Sequence, residues 1–289
     1  MNVERPMVSI VVACRNGEKW LRQALDSCLN QTWSDLEVIV VDDASVDGSG
    51  AIASEAALRD RRVRVVRRDR CEGVAQAFNA GFAVARGVLL ARLACDDYFE
   101  AGAIASLLNA LEQHPDAVLA YAPIRSVDEN GAFLESIEPP PPRQVIERMA
   151  WLGLCVLWRR DVWEELGGFD PEYNTAEEHE FWVRVYTRYP VAKVDGPPLL
   201  SWRRHGGQIS SVGAGEATIA NARLVCKYFS PPGGRRAWLA KEYFDASFLF
   251  RRRGRRTEAI RSAFLAAWYG PCRFRSWKAL AAALFREKA

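Results

Sequence analysis

The first part of the chain alternates short apolar runs with amphipathic stretches. Residues 8–13 form a β-rich run that ends in the turn signal Arg15-Asn16-Gly17. From Trp20 the spacing becomes helical, with Leu21, Leu25, Cys28 and Leu29 on one stripe. Val38-Ile39-Val40-Val41 predicts a second strand, residues 42–49 a loop and the Ala-rich residues 50–58 a helix. A third strand is expected over 63–66, a helix over 73–85 ending near Gly87, and a fourth strand over 88–93. This β-α alternation predicts an α/β fold with a mainly parallel sheet and helices on its faces.

The next stretch is less regular. A helix over 103–112 is stopped by His114-Pro115, and strands are expected over 117–123 and 151–158. Between them four consecutive prolines, 139–142, make a non-helical connector. A short helix over 161–166, an amphipathic helix over 177–189 and a polar loop over 201–211 follow. From about Glu216 the chain reads as all-helical, with breaks at 230–234 and at Gly270-Pro271. The expected organisation is one domain over 1–216 and a basic helical region over 217–289.

Two acidic knots stand at the ends of predicted strands: Asp42-Asp43 after the second and Asp96-Asp97 after the fourth. Open α/β sheets bind ligands in the crevice beyond the carboxyl ends of their strands. Paired carboxylates there repel one another unless a cation or a hydrogen-bond donor lies between them. A divalent metal carrying a phosphate group meets that need, because hard cations take oxygen ligands. The pattern points to an enzyme that handles nucleotides.

Composition adds limits. The 49% hydrophobic and 26% charged content is that of a soluble globular protein. No uninterrupted apolar run approaches the roughly 20 residues that span a bilayer, and the start reads as strand rather than signal peptide. The seven cysteines include no Cys-x-x-Cys pair, which suggests buried free thiols in a reducing cytoplasm. The net charge of +3 hides an asymmetry: residues 1–216 carry 23 basic and 32 acidic side chains, and residues 217–289 carry 16 and 4. A basic tail on an acidic body suits an anionic partner.

The segment from Val8 through Asn16, Leu25-Asp26-Ser27-Cys28-Leu29-Asn30-Gln31-Thr32 and residues 37–49 stand first among the motifs. Asn79-Ala80-Gly81, Ala85-Arg86-Gly87, Asp96-Asp97, Gly167-Gly168-Phe169-Asp170, Glu177-Glu178 and Arg203-Arg204-His205 complete the set. Taken in this order, they resemble the motifs of an inverting family 2 glycosyltransferase with the GT-A fold, a Rossmann-like arrangement. The resemblance implies a nucleoside diphosphate sugar donor, UDP-linked, and transfer to a hydroxyl of a glycan or a lipid-linked acceptor.

It also implies roles for particular residues. Asp43 would accept the N–H of the nucleotide base, a task that suits an acceptor-only carboxylate. Read from the residues alone, Asp43 caps a turn with Ser45. Asp97 would ligate Mg2+ or Mn2+ on the two phosphates, and Asp96 would lie near the ribose and the metal. Ala94 stands where many relatives carry a further Asp. Glu178 would take the proton of the acceptor hydroxyl, although the family usually has the shorter Asp there. The alternative for Glu177, Glu178 and Glu180 is an acidic first turn favoured by the helix dipole. Arg203 and His205 would meet the pyrophosphate, with Arg15 and Asn79 lining the same cleft.

The tail mixes Arg251-Arg252-Arg253-Gly254-Arg255-Arg256 with Phe264, Trp268, Tyr269, Phe274, Trp277, Leu284 and Phe285. That composition suits peripheral contact with an anionic membrane, at the inner face if the protein is cytoplasmic. It equally suits a helical extension packed on the catalytic domain. No nucleic-acid-binding motif accompanies the charge. Two rival readings are a catalytically impaired glycosyltransferase-like protein that binds nucleotide, suggested by Ala94 and Glu178, and a sugar-phosphate nucleotidyltransferase. The latter opens with a Gly-rich, Arg-bearing loop that residues 13–17 do not supply.

Overall fold

The computed structural model describes residues 7–141, 154–208, 214–228, 234–271, 277 and 280. The chain divides into two units, Met1–His205 and Gly206–Ala289. Residue 216, the boundary expected from the sequence, lies in the first turn of a helix of the second unit.

The first unit begins β1 (Val8–Cys14), α1 (Leu21–Leu29), β2 (Leu36–Asp43), α2 (Ser49–Arg59), β3 (Val63–Arg68), α3 (Val74–Val84), β4 (Leu89–Ala94), β5 (Tyr98–Phe99) and α4 (Ala103–Gln113). It continues β6 (Leu119–Tyr121), β7 (Ile124–Val127), β8 (Phe133–Ile137), β9 (Val156–Arg159), α5 (Arg160–Leu166), a 3-10 turn at Pro171–Tyr173, α6 (Glu177–Tyr186), β10 (Val191–Lys193) and β11 (Leu200–Arg203). The main sheet runs β10-β6-β9-β4-β1-β2-β3, with β4, β1, β2 and β3 mutually parallel and β9 antiparallel to β4 and β6. Every residue of β2 is buried, as a central strand covered on both faces requires.

Helices α1 and α4 help to cover one face of this sheet; α3, α5 and α6 cover the other. Helix α1 buries Leu21, Ala24, Leu25 and Cys28, spaced as one helical stripe. Helix α3 sits unusually close to the sheet. A Cβ at Gly81 would come within 2.3 Å of Val11 Cγ1 and 2.9 Å of Val41 Cγ2. Only glycine permits that approach, and it brings the N-terminal half of α3 down beside the strand ends.

The sequence does not predict the second sheet, β5-β11-β7-β8. Its strands are short, and β11 pairs antiparallel with β5 and parallel with β7. Ser201 to Arg203 therefore lie in a strand and not in the expected polar loop. The expected strand over 117–123 is confined to Leu119–Tyr121, and the helix from Glu177 ends at Tyr186. Of the expected strand over 151–158, the described part forms β9; residues 151–153, Pro142 and 209–213 lie outside the described residues.

The second unit contains α7 (Ala214–Tyr228), α8 (Gly234–Arg252) and α9 (Arg256–Tyr269). Among its described residues Ala246, Phe250 and Ala259 pack together as one buried cluster, with Gly215 against the Phe250 ring. Arg255 bridges Glu216 and Glu258. Phe248, Phe264, Trp268 and Trp277 are exposed. Three of these aromatics, Phe264, Trp268 and Trp277, line a groove of about 280 Å³ with Arg236. The tail residues Phe274, Leu284 and Phe285 lie outside the described residues.

Candidate active site

The parallel strands β4, β1 and β2 end side by side, and their carboxyl ends carry Asp96-Asp97, Cys14-Arg15 and Asp42-Asp43. The loops after β1 and β2 are laced together. The Asn16 N–H donates to Ser45 Oγ at 3.0 Å, Val46 N–H to Asn16 Oδ1 at 2.9 Å, and Gly17 N–H to Ser49 Oγ at 2.9 Å. Asn16 and Ala44 adopt positive φ, 53° and 56°. Asn tolerates that conformation through its short polar side chain, whereas Ala44 is held in it by its surroundings. Arg15 is exposed beside this loop pair.

The two aspartates closing β2 differ in their contacts. Asp42 Oδ1 accepts the Ser45 N–H at 3.0 Å, so Asp42 rather than Asp43 caps the turn. Asp43 is buried, and its Oδ1 accepts from Arg68 Nη1 at 2.7 Å. The β2–β3 register places Asp43 directly opposite Arg68. The sequence did not single out Arg68, which is the ion-pair partner of Asp43.

After β4, Asp97 is buried and its Oδ1 accepts the Arg203 backbone N–H at 2.9 Å. Burial, reinforced by the neighbouring Asp96 charge, pushes the Asp97 carboxyl well above the ordinary carboxylate range. Asp96 Oδ2 lies 2.9 Å from His205 Nε2, and the His205 ring packs on Trp20 with centroids 4.3 Å apart. Arg203 belongs to the structural frame rather than to an open loop. Its guanidinium donates to Gln23 Oε1 at 2.6 Å, the Asp96 carbonyl at 2.9 Å and the Glu129 carbonyl at 2.9 Å. Arg203 thereby braces β11 against the loop after β4 and residues 128–129.

Asn79 Nδ2 donates to the Phe169 carbonyl at 2.8 Å and its Oδ1 accepts the Phe169 N–H at 3.0 Å. The amide thus clamps the Gly167-Gly168-Phe169 turn from both ends.

Arg92 is the other residue that the sequence reading passed over. It lies in the middle of the buried strand β4, only 6% exposed, with its guanidinium 4.4 Å from the Phe78 ring centroid. A charge in such a place requires a partner. Glu178, in the first turn of α6, forms an ion pair with it. Desolvation pulls the Arg92 pKa down, while the charges of Glu177, Asp97 and Asp96 hold it up. Burial raises Glu177 to about 7, against the pull of Arg92. One guanidinium thus balances the carboxylates of β4's end and of α6.

Among the described residues no group of three or more His, Cys, Asp or Glu side chains could by itself enclose a metal ion. The donor set nevertheless fits a hard divalent cation shared with a ligand. Asp97 and Asp96 present crowded carboxylates whose mutual repulsion such a cation relieves, and Mg2+ commonly takes one or two carboxylates plus phosphate oxygens.

A family model described as glycosyl transferase family 2 matches residues 9–160. The uncharacterized glycosyltransferase EpsJ of Bacillus subtilis is 27% identical over 220 residues, covering 72% of this chain and 64% of that protein. An uncharacterized glycosyltransferase of Haemophilus influenzae is 27% identical, covering 72% and 68%. The chain thus spans about two thirds of the length of these two relatives. Among solved structures, S. aureus TarS 1-349 in complex with UDP-GlcNAc superposes with a TM-score of 0.65 at 16% identity, over 96% of this chain and 90% of that one. The mannosyltransferase PcManGT of Pyrobaculum calidifontis, in complex with GDP-Man and Mn2+, gives a TM-score of 0.53 at 19% identity, over 99% and 77%.

Proposed function

The chain belongs to glycosyl transferase family 2 and is a glycosyltransferase; from that premise we propose that it moves a sugar from a UDP-linked donor to an acceptor hydroxyl with inversion at the anomeric carbon. The observation that carries this reading is the convergence of Asp43, Asp96-Asp97 and Glu178 at the carboxyl edge of β2, β4 and the start of α6, where an open α/β sheet binds ligand. The acceptor is a glycan or a lipid-linked sugar.

Asp43, steadied by Arg68, accepts the base imide N–H on its second oxygen. Arg15 and His205 meet the diphosphate, His205 being set in place by Asp96 and Trp20. Asp97 and Asp96 would hold Mg2+ or Mn2+ against the phosphates, where it would neutralise charge on the departing nucleoside diphosphate. Arg203 fixes the Asp97 carboxylate through its backbone N–H. Glu178 takes the acceptor proton as the acceptor oxygen bonds to the anomeric carbon and the sugar–phosphate bond breaks on the opposite side. Arg92 holds Glu178 in place for that transfer.

No described helix is long and apolar enough to cross a membrane. The exposed aromatics Phe264, Trp268 and Trp277 beside Arg236, and Phe248 under Arg252, support peripheral attachment to an anionic bilayer, where aromatic rings enter the interface and guanidinium groups meet headgroups.

A nucleotide-release assay over a panel of UDP-sugars tests the catalytic reading. Wild type is expected to release UDP from one donor. Glu178→Gln is expected to bind UDP like wild type and to lose turnover by about 10²-fold or more, the usual contribution of a general base. Full turnover in Glu178→Gln would overturn the assignment.

A further inference from the structure

The structure points to a second chemistry beneath the proposed donor cleft. The β1–β4 register ends with Ala13 opposite Ala94, and Cys14 and Cys95 are the next residues of the two chains. The Cys95 N–H donates to the Ala13 carbonyl at 3.1 Å, so the ladder continues up to the two cysteines. Both sulfurs lie against Gly17: a Cβ there would stand 2.5 Å from Cys95 Sγ and 2.9 Å from Cys14 Sγ. Adjacent strands run about 4.8 Å apart, inside the Cα separation of about 4.4–6.8 Å that a disulfide bridges. The backbone is therefore placed for a bond that is not formed, both thiols being free.

We propose that Cys14 and Cys95 are a redox-modification site: a peroxide closes them into a disulfide, and this closure weakens donor binding at the cleft above. The chemistry of the pair stands on its own geometry; its effect on donor binding rests on the function proposed above.

The two sulfurs are not equivalent. The Cys95 thiol donates a hydrogen bond to the Cys14 sulfur, and the Ser49 hydroxyl and Gly17 N–H also stabilise its charged form, so the Cys14 pKa falls despite burial and the nearby Asp42 charge. Cys14 is thus the nucleophile and Cys95 the resolving thiol. The Cys14 thiolate attacks one peroxide oxygen; an S–O bond forms, the O–O bond breaks and hydroxide leaves. The Cys95 sulfur then attacks the sulfenic sulfur of Cys14, the S–O bond breaks and water leaves. The net change converts two thiols and hydrogen peroxide into one disulfide and two waters. Cys28 and Cys155 serve as internal controls, because burial pushes Cys28 up to about 12 and Cys155 higher still.

Access and consequence follow from the same loop. Gly17 covers the sulfurs, while its neighbours Arg15, Asn16 and Glu18 are exposed. Cys95 is only partly buried, which gives peroxide a route to the pair, and a nucleotide bound in the cleft above would cover it. Closing the bond redraws the positions of Arg15 and Asp96, each adjacent to one of the cysteines.

The test treats the full chain with hydrogen peroxide, maps peptides without reduction by mass spectrometry, and titrates UDP with Mn2+ before and after. The expected result is a Cys14–Cys95 crosslink reversed by dithiothreitol and slowed by UDP, with UDP affinity lowered at least tenfold in the oxidised form. Cys95→Ser should stop at a Cys14 sulfenic acid, trapped by dimedone, and keep its UDP affinity. Absence of the crosslink in folded protein, or its appearance only in denaturant, overturns the site. A crosslink that leaves UDP affinity unchanged overturns its coupling to the cleft. A crosslink in a protein that binds no nucleotide even when reduced supports the dithiol and sinks the donor reading instead.

Discussion

Replacing Arg92 with methionine removes a cation buried among the carboxylates of the site. Methionine fills much of the same volume and keeps contact with Phe78, so the perturbation is chiefly electrostatic. The cost follows from what remains: Glu178, Glu177, Asp97 and Asp96 lose their shared counter-charge. Breaking a buried ion pair from one side costs about 3–5 kcal/mol. Some of that is returned because Arg92 itself is no longer desolvated, which sets the net loss at roughly 2–4 kcal/mol. Urea unfolding reads it directly. The reasoning also predicts coupling, because Glu178 is the contact partner. In a double-mutant cycle, Arg92→Met with Glu178→Gln should be less destabilising than the sum of the singles by about 1.5 kcal/mol or more. Turnover should fall by about 10²-fold in the single Arg92 variant, the penalty expected when a reacting group is misplaced by ~1 Å. Arg92→Lys keeps the charge and should recover most of the stability. Additivity within about 0.5 kcal/mol, or wild-type turnover in Arg92→Met, would refute the claim that this guanidinium organises the site.

Other consequences are also measurable. Gly81→Ala should cost about 1–3 kcal/mol by overpacking, read as a lower urea midpoint, because its methyl group would meet Val11 and Val41. Glu177 has its folded pKa raised from 4.5 to about 7, so it binds a proton more tightly in the native state and opposes folding increasingly as pH rises through that interval. Glu177→Gln should therefore exceed wild type in stability by up to about 3 kcal/mol above pH 7, the gap shrinking toward pH 5; a gap that is flat with pH would contradict this. Vesicles rich in anionic lipid should sediment with the protein at low salt and release it at high salt, and indifference to such vesicles would remove the membrane proposal.

The parallel half of the fold was legible because its strands are apolar runs separated by helical stripes, and because β1 to β4 pair in a simple alternation. The second sheet was hidden. Tyr98–Phe99 is two residues long, and Leu200–Arg203 finds its partners only through distant pairing with β5 and β7. Gly206 and Gly207 made the segment look like a loop, and Arg203 was misplaced with it. The acidic ends of β2 and β4 were visible, since carboxylates after buried strands have few structural uses. The clamp of Asn79 on Phe169 was not legible because it joins residues far apart in the chain. Arg92 did carry a signal, a charge inside a continuous buried run, but its partner on α6 could be found only in three dimensions.

The most direct measurement is calorimetric titration of UDP, GDP and dTDP, with and without Mn2+, into wild type, Asp43→Asn and Asp97→Asn. The account predicts Mn2+-dependent binding of UDP in preference to the other two. Asp43→Asn should lose the preference among bases, and Asp97→Asn should lose the metal dependence together with most of the affinity. Binding that ignores the metal and both substitutions, or no binding by any of the three nucleotides, would contradict it.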